Sequence, residues 1–230
     1  GLWTSGKGHG DALHMTDLDP THPGQEIWIN LESPSQYTPL GLRQYDAKTG
    51  ATIWGKATGT DDVGRSMVAD IDPSHLGYEM WGSSTGYVYD VHGNPISSNV
   101  PSYNFGIWWD GDLARELLDG NVMDKWNPLT GSAYRLFTIY NAAPISSNNS
   151  TKKNPCLTAD ILGDWREEMI FRRTDNTALI IFTTNNLTDK RIYTLMHNPQ
   201  YRTSIAWQNS AYNQPPYPSF YLGYDMATPP

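Results

Sequence analysis

The sequence has a single cysteine, Cys156, so no disulfide can form within the chain. That leaves the redox compartment undecided, because secreted proteins need not carry bridges. Charged residues make up only 17% of the 230 positions, below the usual share of about 25%. No excess of basic residues is present: 16 Lys and Arg face 24 Asp and Glu, for a net charge of −8. This balance argues against a nucleic-acid backbone or an anionic membrane as partner. Long apolar runs are missing too. The longest is Ala178 to Phe182, far short of a membrane span. No signal peptide is visible: the chain opens on Gly1-Leu2-Trp3 and passes straight into polar residues, as the inside of a processed or truncated domain would. Helical periodicity is scarce, and only Leu113–Leu118, inside Asp112–Asp119, suggests a turn or two of helix.

What the sequence has instead is aromatic residues (12%), 20 glycines and 16 prolines. Short strand-like stretches occur at Glu26–Asn30, Leu42–Asp46, Glu79–Ser83, Gly86–Asp90, Tyr134–Tyr140, Glu168–Arg172, Leu179–Thr184 and Ile192–Met196. Turn clusters rich in Gly, Pro, Asn and Asp separate them, which predicts an all-β fold. An internal repeat narrows this further. Thr16–Trp28 aligns with Ala69–Trp81, each holding Asp-x-Asp-Pro and then Gly-x-Glu before an apolar strand. Ala159–Ile170 is a shortened third copy, and Trp109–Asp112 a degenerate fourth, so that the acidic starts fall at Asp17, Asp70, Asp110 and Asp160. A strand-only unit repeating at this spacing predicts the blades of a β-propeller, with a β-sandwich as the plainer alternative.

The repeat carries the chemistry of a calcium loop. A hard cation needs six to eight oxygens from closely spaced carboxylates and carbonyls, with glycine at the sharp turn. Asp17, Asp19 and Glu26 form one such set, Asp70, Asp72 and Glu79 a second, and Asp160, Asp164 and Glu168 a third. The plain reading is turn chemistry, since Asp and Pro favour turns in any case. Three copies, each with a trailing acid, favour Ca2+. Gly8-His9-Gly10-Asp11 sets an imidazole and a carboxylate two residues apart. That pair is either a metal-ligand set, with zinc or another first-row ion the obvious occupant, or a hydrogen-bonded turn. His22, His75 and His92 read as solvated turn residues. Arg65, after Asp61 and Asp62, could face a propeller axis or form a local ion pair, and Lys152 and Lys153 lie in a polar loop from Asn148 to Pro155.

These segments carry a family resemblance. Gly8–Asp11, the acidic loop following Gly64-Arg65, Ala159–Glu168 and the terminal Tyr212–Gly223 resemble family 11 rhamnogalacturonan lyases along the whole chain. The resemblance implies an eight-bladed propeller of bacterial, extracellular origin with several bound calcium ions. Residues 1–230 would be a partial propeller, roughly the C-terminal four to five blades of the catalytic domain. The missing N-terminal portion, or a second copy, would then be needed to close the fold. It also implies that His9, Asp11 and Glu32 hold calcium at the active cleft, in place of zinc. Arg65 would meet the galacturonate carboxylate, and Lys152 would sit in the substrate-binding loop, where its amine is our candidate for the base. Asn149, Ser150, Thr151 and Tyr212 would bind sugar, with Ser150 standing where relatives have glycine. The reaction implied is β-elimination in rhamnogalacturonan I. The rival readings are a non-catalytic, calcium-stabilised module that binds glycan or protein, and an inactive fragment.

Overall fold

The computed structural model describes residues 1–59, 61–210 and 212–226. It is an all-β architecture of four four-stranded antiparallel sheets with two short helices. The first sheet contains β1 (Leu13–Thr16), β2 (Glu26–Asn30), β3 (Leu40–Asp46) and β4 (Thr52–Ala57). The second contains β5 (Ser66–Ala69), β6 (Glu79–Gly82), β7 (Val88–Tyr89) and β8 (Pro95–Ser97). The third contains β9 (Phe105–Ile107), β10 (Glu116–Asp119), β11 (Val122–Asn127) and β12 (Ser132–Thr138). In these three the spatial order follows the chain, a simple meander. The fourth departs from it. β15 (Glu168–Arg173) lies inside, with β13 (Ile145–Ser146) and β14 (Leu157–Ala159) along one edge and β16 (Leu179–Phe182) along the other. Among the described residues no ladder joins one sheet to the next.

Burial explains which strands carry a sequence signal. β5 and β6 are buried at every residue, so they read as short apolar runs without alternation. The outer strand β16 does alternate, leaving Leu179 and Ile181 exposed. The apolar material sits between consecutive sheets. Met67, Trp81 and Val88 of the second sheet pack with Leu117 and Trp126 of the third. Phe105, Ile107 and Leu118 of the third pack with Ile145, Met169 and Phe171 of the fourth. A larger core gathers Trp28, Val68, Trp108 and Trp165 around the C-terminal Tyr217, Tyr221 and Leu222. That C-terminal segment is irregular and therefore needs partners for its backbone. It finds them on several sheets: Tyr78 Oη donates to Leu222 O at 2.8 Å, Thr16 Oγ1 to Pro218 O at 2.7 Å and Arg115 Nη2 to Pro216 O at 2.9 Å. The buried Arg115 guanidinium also lies 3.9 Å from the Trp108 ring centroid and 4.5 Å from that of Tyr217.

Two secondary-structure expectations are corrected. Leu113–Leu118 is not helical. Leu113–Arg115 is a loop and Glu116–Leu118 opens β10, since a six-residue stretch with four apolar positions is too short to distinguish helix from buried strand. Ile192–Met196 is not a strand but an irregular stretch ending in a 3-10 turn, Leu195–His197, where Thr194 Oγ1 accepts from Met196 N. A genuine helix follows at α2 (Pro199–Trp207), where Asn198 Oδ1 caps Tyr201 N and proline fills the first turn. Its start signal was legible, but Tyr201 is its single buried residue, so no apolar stripe marked it. The other helix, α1 (Pro34–Tyr37), is one turn after β2.

The repeat also shifts register. Glu26 Oε2 accepts from the backbone N–H groups of Leu18 and Asp19, and Glu79 Oε2 from those of Ile71 and Asp72. Glu116 does the same for Trp109 and Asp110, and Glu168 for Ile161 and Leu162. One glutamate therefore closes the loop in all four sheets. By this alignment Asp110 matches Asp19 and Asp72, not the first acid of the repeat. Leu162 occupies that position in the fourth loop.

Candidate functional site

A cleft of about 540 Å3 is lined by Asp62, Arg65, Asn104, Asp119, Thr151 and Lys152, drawn from the approaches to the second, third and fourth sheets. Arg65 precedes β5 and is 3% exposed. Its Nη1 donates to Asp11 O at 2.9 Å; Nη2 donates to Asn104 O at 2.6 Å and Asn213 O at 3.1 Å. No carboxylate of the described residues pairs with it, so the local ion pair with Asp61 or Asp62 is not formed. Burial lowers its pKa to about 10, which still leaves it charged at neutral pH. Three carbonyls thus hold a fixed positive charge with few donors to spare.

Lys152 ends a 3-10 turn, Ser150–Lys152. Its Nζ lies 2.6 Å from Asp11 Oδ2 and 4.8 Å from the Tyr212 ring centroid. Asn149 (φ 57°), Ser150 (φ 45°) and Lys153 (φ 49°) are all left-handed. This conformation costs a residue with a Cβ about 1–2 kcal/mol, and a glycine at position 150 would avoid it. Lys153 points elsewhere: its aliphatic chain packs beside Gly120, and its carbonyl accepts from Gly120 N at 3.0 Å. Thr151 lines the cleft, and its carbonyl lies 3.5 Å from Asn104 Nδ2. Asn149 is engaged within its own loop, donating to Asn154 Oδ1 at 3.0 Å.

His9, Asp11 and Glu32 converge at one side of this cleft, each offering a ligand atom within 4.8 Å of the others. His9 Nδ1 is 3.5 Å from Glu32 Oε2. Gly10 makes the approach possible, since a Cβ there would strike the Asn30 carbonyl. Burial first, then the Asp11 carboxylate and Asp62, push Glu32 up to about 7. Two carboxylates and an imidazole around one point, with negative charge in excess, suit a divalent cation.

The acidic loops differ in how their oxygens are satisfied. In the first, Asp17 Oδ1 is buried without a partner, and burial together with Glu26 and Asp19 pushes Asp17 up to about 6. Asp19 Oδ1 accepts from Thr21 N and Oγ1. In the second, Asp70 Oδ1 and Glu79 Oε1 are both buried without partners; burial above all pushes Asp70 up to about 7 and Glu79 well above its usual range. Asp72 is held by Ser74 and by Trp126 Nε1 at 3.0 Å. Unpartnered buried carboxylate oxygens fit a cation in both loops. In the third, the Lys125 ammonium contacts Asp110, Asp112 (2.7 Å) and Glu116 (2.8 Å) together. In the fourth, chain donors suffice. Asp160 accepts from Gly163 N, Thr194 Oγ1 and Leu195 N, Asp164 pairs with Arg166, and Glu168 Oε1 accepts from Thr183.

The turn histidines are not simply solvated: His22 is 2.6 Å from Glu26, His75 3.6 Å from Asp72 and His92 3.7 Å from Asp19. The structure therefore brings His9, Asp11, Glu32, Arg65, Thr151, Lys152 and Tyr212 together and leaves the repeat acids in their separate loops. Asn104 and Asp119 join the site without any motif to announce them, and Asn213 and Gln214 join it from the Tyr212–Gly223 motif, where the sequence assigned them no role. Asn104 and Asn213 meet Arg65 through their carbonyls, which any residue could supply, and Gln214 Nε2 donates to Asp11 O at 2.7 Å.

Comparison with known proteins follows the same lines. The model of "Rhamnogalacturonan lyase family 11, C-terminal domain" matches residues 1–230. The chain is 51% identical over 232 residues to rhamnogalacturonan endolyase YesW of Bacillus subtilis (strain 168), covering all of this chain and 36% of that protein. It is 49% identical over 246 residues to rhamnogalacturonan exolyase YesX of the same strain, covering 39% of it. Among solved structures, YesW and Bacillus licheniformis rhamnogalacturonan lyase PL11 each superpose with a TM-score of 0.93 at 50% identity, over 38% of their chains. The chain thus spans well under half the length of the relatives it matches.

Proposed function

The chain belongs to rhamnogalacturonan lyase family 11, and from that premise we propose that it carries the reacting cleft of a polysaccharide lyase. The reaction is β-elimination in rhamnogalacturonan I. A base removes the C5 proton of galacturonate, the bond from C4 to the glycosidic oxygen breaks, and a 4,5-unsaturated uronate remains. One observation carries this reading. A buried, carbonyl-fixed Arg65 and the amine of Lys152 face one cleft, beside a cation-suited set of His9, Asp11 and Glu32.

The difficulty of the reaction is electrostatic, since loss of the C5 proton adds charge to a carboxyl group that is already negative. Arg65 supplies a preorganised positive charge at that point, and its three carbonyl contacts hold it in place without reorganisation. One unit charge at about 4 Å in an effective dielectric of about 20 is worth roughly 4 kcal/mol, or about three decades in rate if realised fully in the transition state. A calcium ion held by His9, Asp11 and Glu32 would add positive charge beside the same carboxylate. Arg65 is a poor base, being charged at neutral pH. Lys152 is the group placed to accept the C5 proton. Asp11 orients its amine from one side and Tyr212 from the other. Thr151 and Tyr212, exposed at the cleft, are the sugar contacts, along with the exposed Asn149 and Ser150.

On this reading the four sheets are consecutive blades of an eight-bladed propeller whose other blades lie in the portion that the relatives have and this chain does not cover. Calcium also fills the loops of Asp17 and Asp70. The enzyme works outside a bacterial cell, where a polymer of this size is met. A second reading, that the chain alone is an inactive piece or a binding module, is favoured by its covering only 36–39% of the relatives. Lys152→Met separates the two chemically. Loss of elimination with polymer binding retained supports the assignment of the base, and elimination at the unmodified rate removes it.

A further inference from the structure

We propose that Asp119 sets the polymer specificity of this cleft. Its carboxylate accepts hydroxyls of the neutral sugar next to the galacturonate and repels a second uronate, so that an alternating polymer is taken and polygalacturonate refused. The inference rests on the lyase reading above. Asp119 closes β10 and lines the cleft with Arg65 and Lys152. Its Oδ1 accepts from Asn104 Nδ2 at 3.0 Å. The same Asn104 gives its carbonyl to Arg65 Nη2 at 2.6 Å, and its Nδ2 lies 3.5 Å from the Thr151 carbonyl. One residue therefore fixes the spacing between a cationic and an anionic point in the cleft wall.

The charges of the two points are not spent on each other. Lys152 is paired with Asp11, and Arg65 with three carbonyls. None of the ion pairs among the described residues involves Asp119. A half-buried carboxylate with acceptor capacity left over forms strong, charge-assisted bonds to hydroxyl donors. Toward another carboxylate it can offer only repulsion, which is how a site discriminates against a close competitor. The galacturonate meets the positive end, and its neighbour along the chain meets Asp119. In rhamnogalacturonan that neighbour is neutral; in polygalacturonate it is charged.

The test compares the unmodified chain with Asp119→Asn and Asp119→Glu in affinity gels containing either polymer, with ultraviolet assay of elimination on both. The unmodified chain should be retarded by rhamnogalacturonan and little by polygalacturonate. Asp119→Asn should narrow that preference by about tenfold, the scale of a single like-charge contact, mainly by gaining polygalacturonate. Its effect should fade in high salt, and Asp119→Glu should restore discrimination, which a merely structural role would not do. An unchanged preference in Asp119→Asn, or equal loss toward both polymers, overturns the assignment. Binding without elimination, with the remaining portion of a family relative supplied as well, would refute the lyase reading while the preference still tests Asp119. Binding to neither polymer would overturn both.

Discussion

Replacing Lys125 by methionine tests how the third loop is held. In the structure this ammonium is the common partner of Asp110, Asp112 and Glu116. Asp112 is 38% exposed at its side chain, so its share is on the surface scale of under about 1 kcal/mol. Asp110 and Glu116 are 15% and 0% exposed. Removing one member of such a buried set leaves uncompensated charge and costs about 3–5 kcal/mol, so a loss of about 3 kcal/mol is expected at neutral pH. The pH dependence carries the sharper test. Burial raises Glu116 from 4.5 to about 8 even beside the lysine. Burial alone would raise Asp110 as well, but Lys125 outweighs it and holds Asp110 below its ordinary value. The depressed Asp110 contributes stability that is present above its unfolded pKa of 3.8, and this contribution disappears with the lysine. Without the lysine both carboxyls retain protons to higher pH when folded than when unfolded, so the variant loses stability as pH rises. Urea unfolding should show a small deficit near about pH 5 and the full deficit near about pH 8. A deficit below about 1 kcal/mol, or one equal at both pH values, would refute this reasoning.

Three further outcomes follow from the same geometry. With a chelator present, the raised Asp17 (about 6) and Asp70 (about 7) make the folded state the stronger proton binder, so stability should fall as pH rises from 3.8 toward those values. Calcium should remove that slope, giving a gain in melting temperature that is largest at the alkaline end; a gain independent of pH would speak against cations at these loops. Ser150→Gly relieves a left-handed residue and should raise the unfolding free energy by about 0.5 kcal/mol after the added freedom of the unfolded chain is counted, seen as a higher urea midpoint; a lowered midpoint would mean that the Ser150 hydroxyl has a role in the turn. Lys152→Met should abolish elimination; it also leaves the Asp11 carboxylate, 15% exposed, without its partner, so a lowered thermal melt is expected and activity is compared at a temperature where both chains are folded.

How much was legible in the sequence depended on what each residue contributes. β2 was found with its bounds intact at Glu26–Asn30, because alternate residues of Glu-Ile-Trp-Ile-Asn are buried and the period of two survives. Nine strands, β1, β4, β5, β8, β9, β10, β11, β13 and β14, were not found; for β5, β9, β13 and β14 burial is the reason. They are two to four residues long and mostly buried, and such segments carry no alternation. The Asp-and-Glu repeat was visible, but the use of its glutamate was not. A carboxylate that bridges two backbone N–H groups looks the same in sequence as one that waits for a metal. His9, Asp11, Arg65, Lys152 and Tyr212 were identified through motifs. Asp119 and Asn104 could not be, since one closes a short buried strand and the other meets Arg65 through a carbonyl that any residue could supply.

The central claim is that the Arg65–Lys152 cleft eliminates across galacturonate with help from a bound cation. Ultraviolet absorbance of the unsaturated uronate, followed while the chain is incubated with rhamnogalacturonan I in calcium and then in excess chelator, tests it most directly. Absorbance should rise, stop rising on chelation, and rise faster when the remaining portion of a family relative is supplied. No rise from a folded, calcium-loaded chain, with that portion present as well, would contradict the claim.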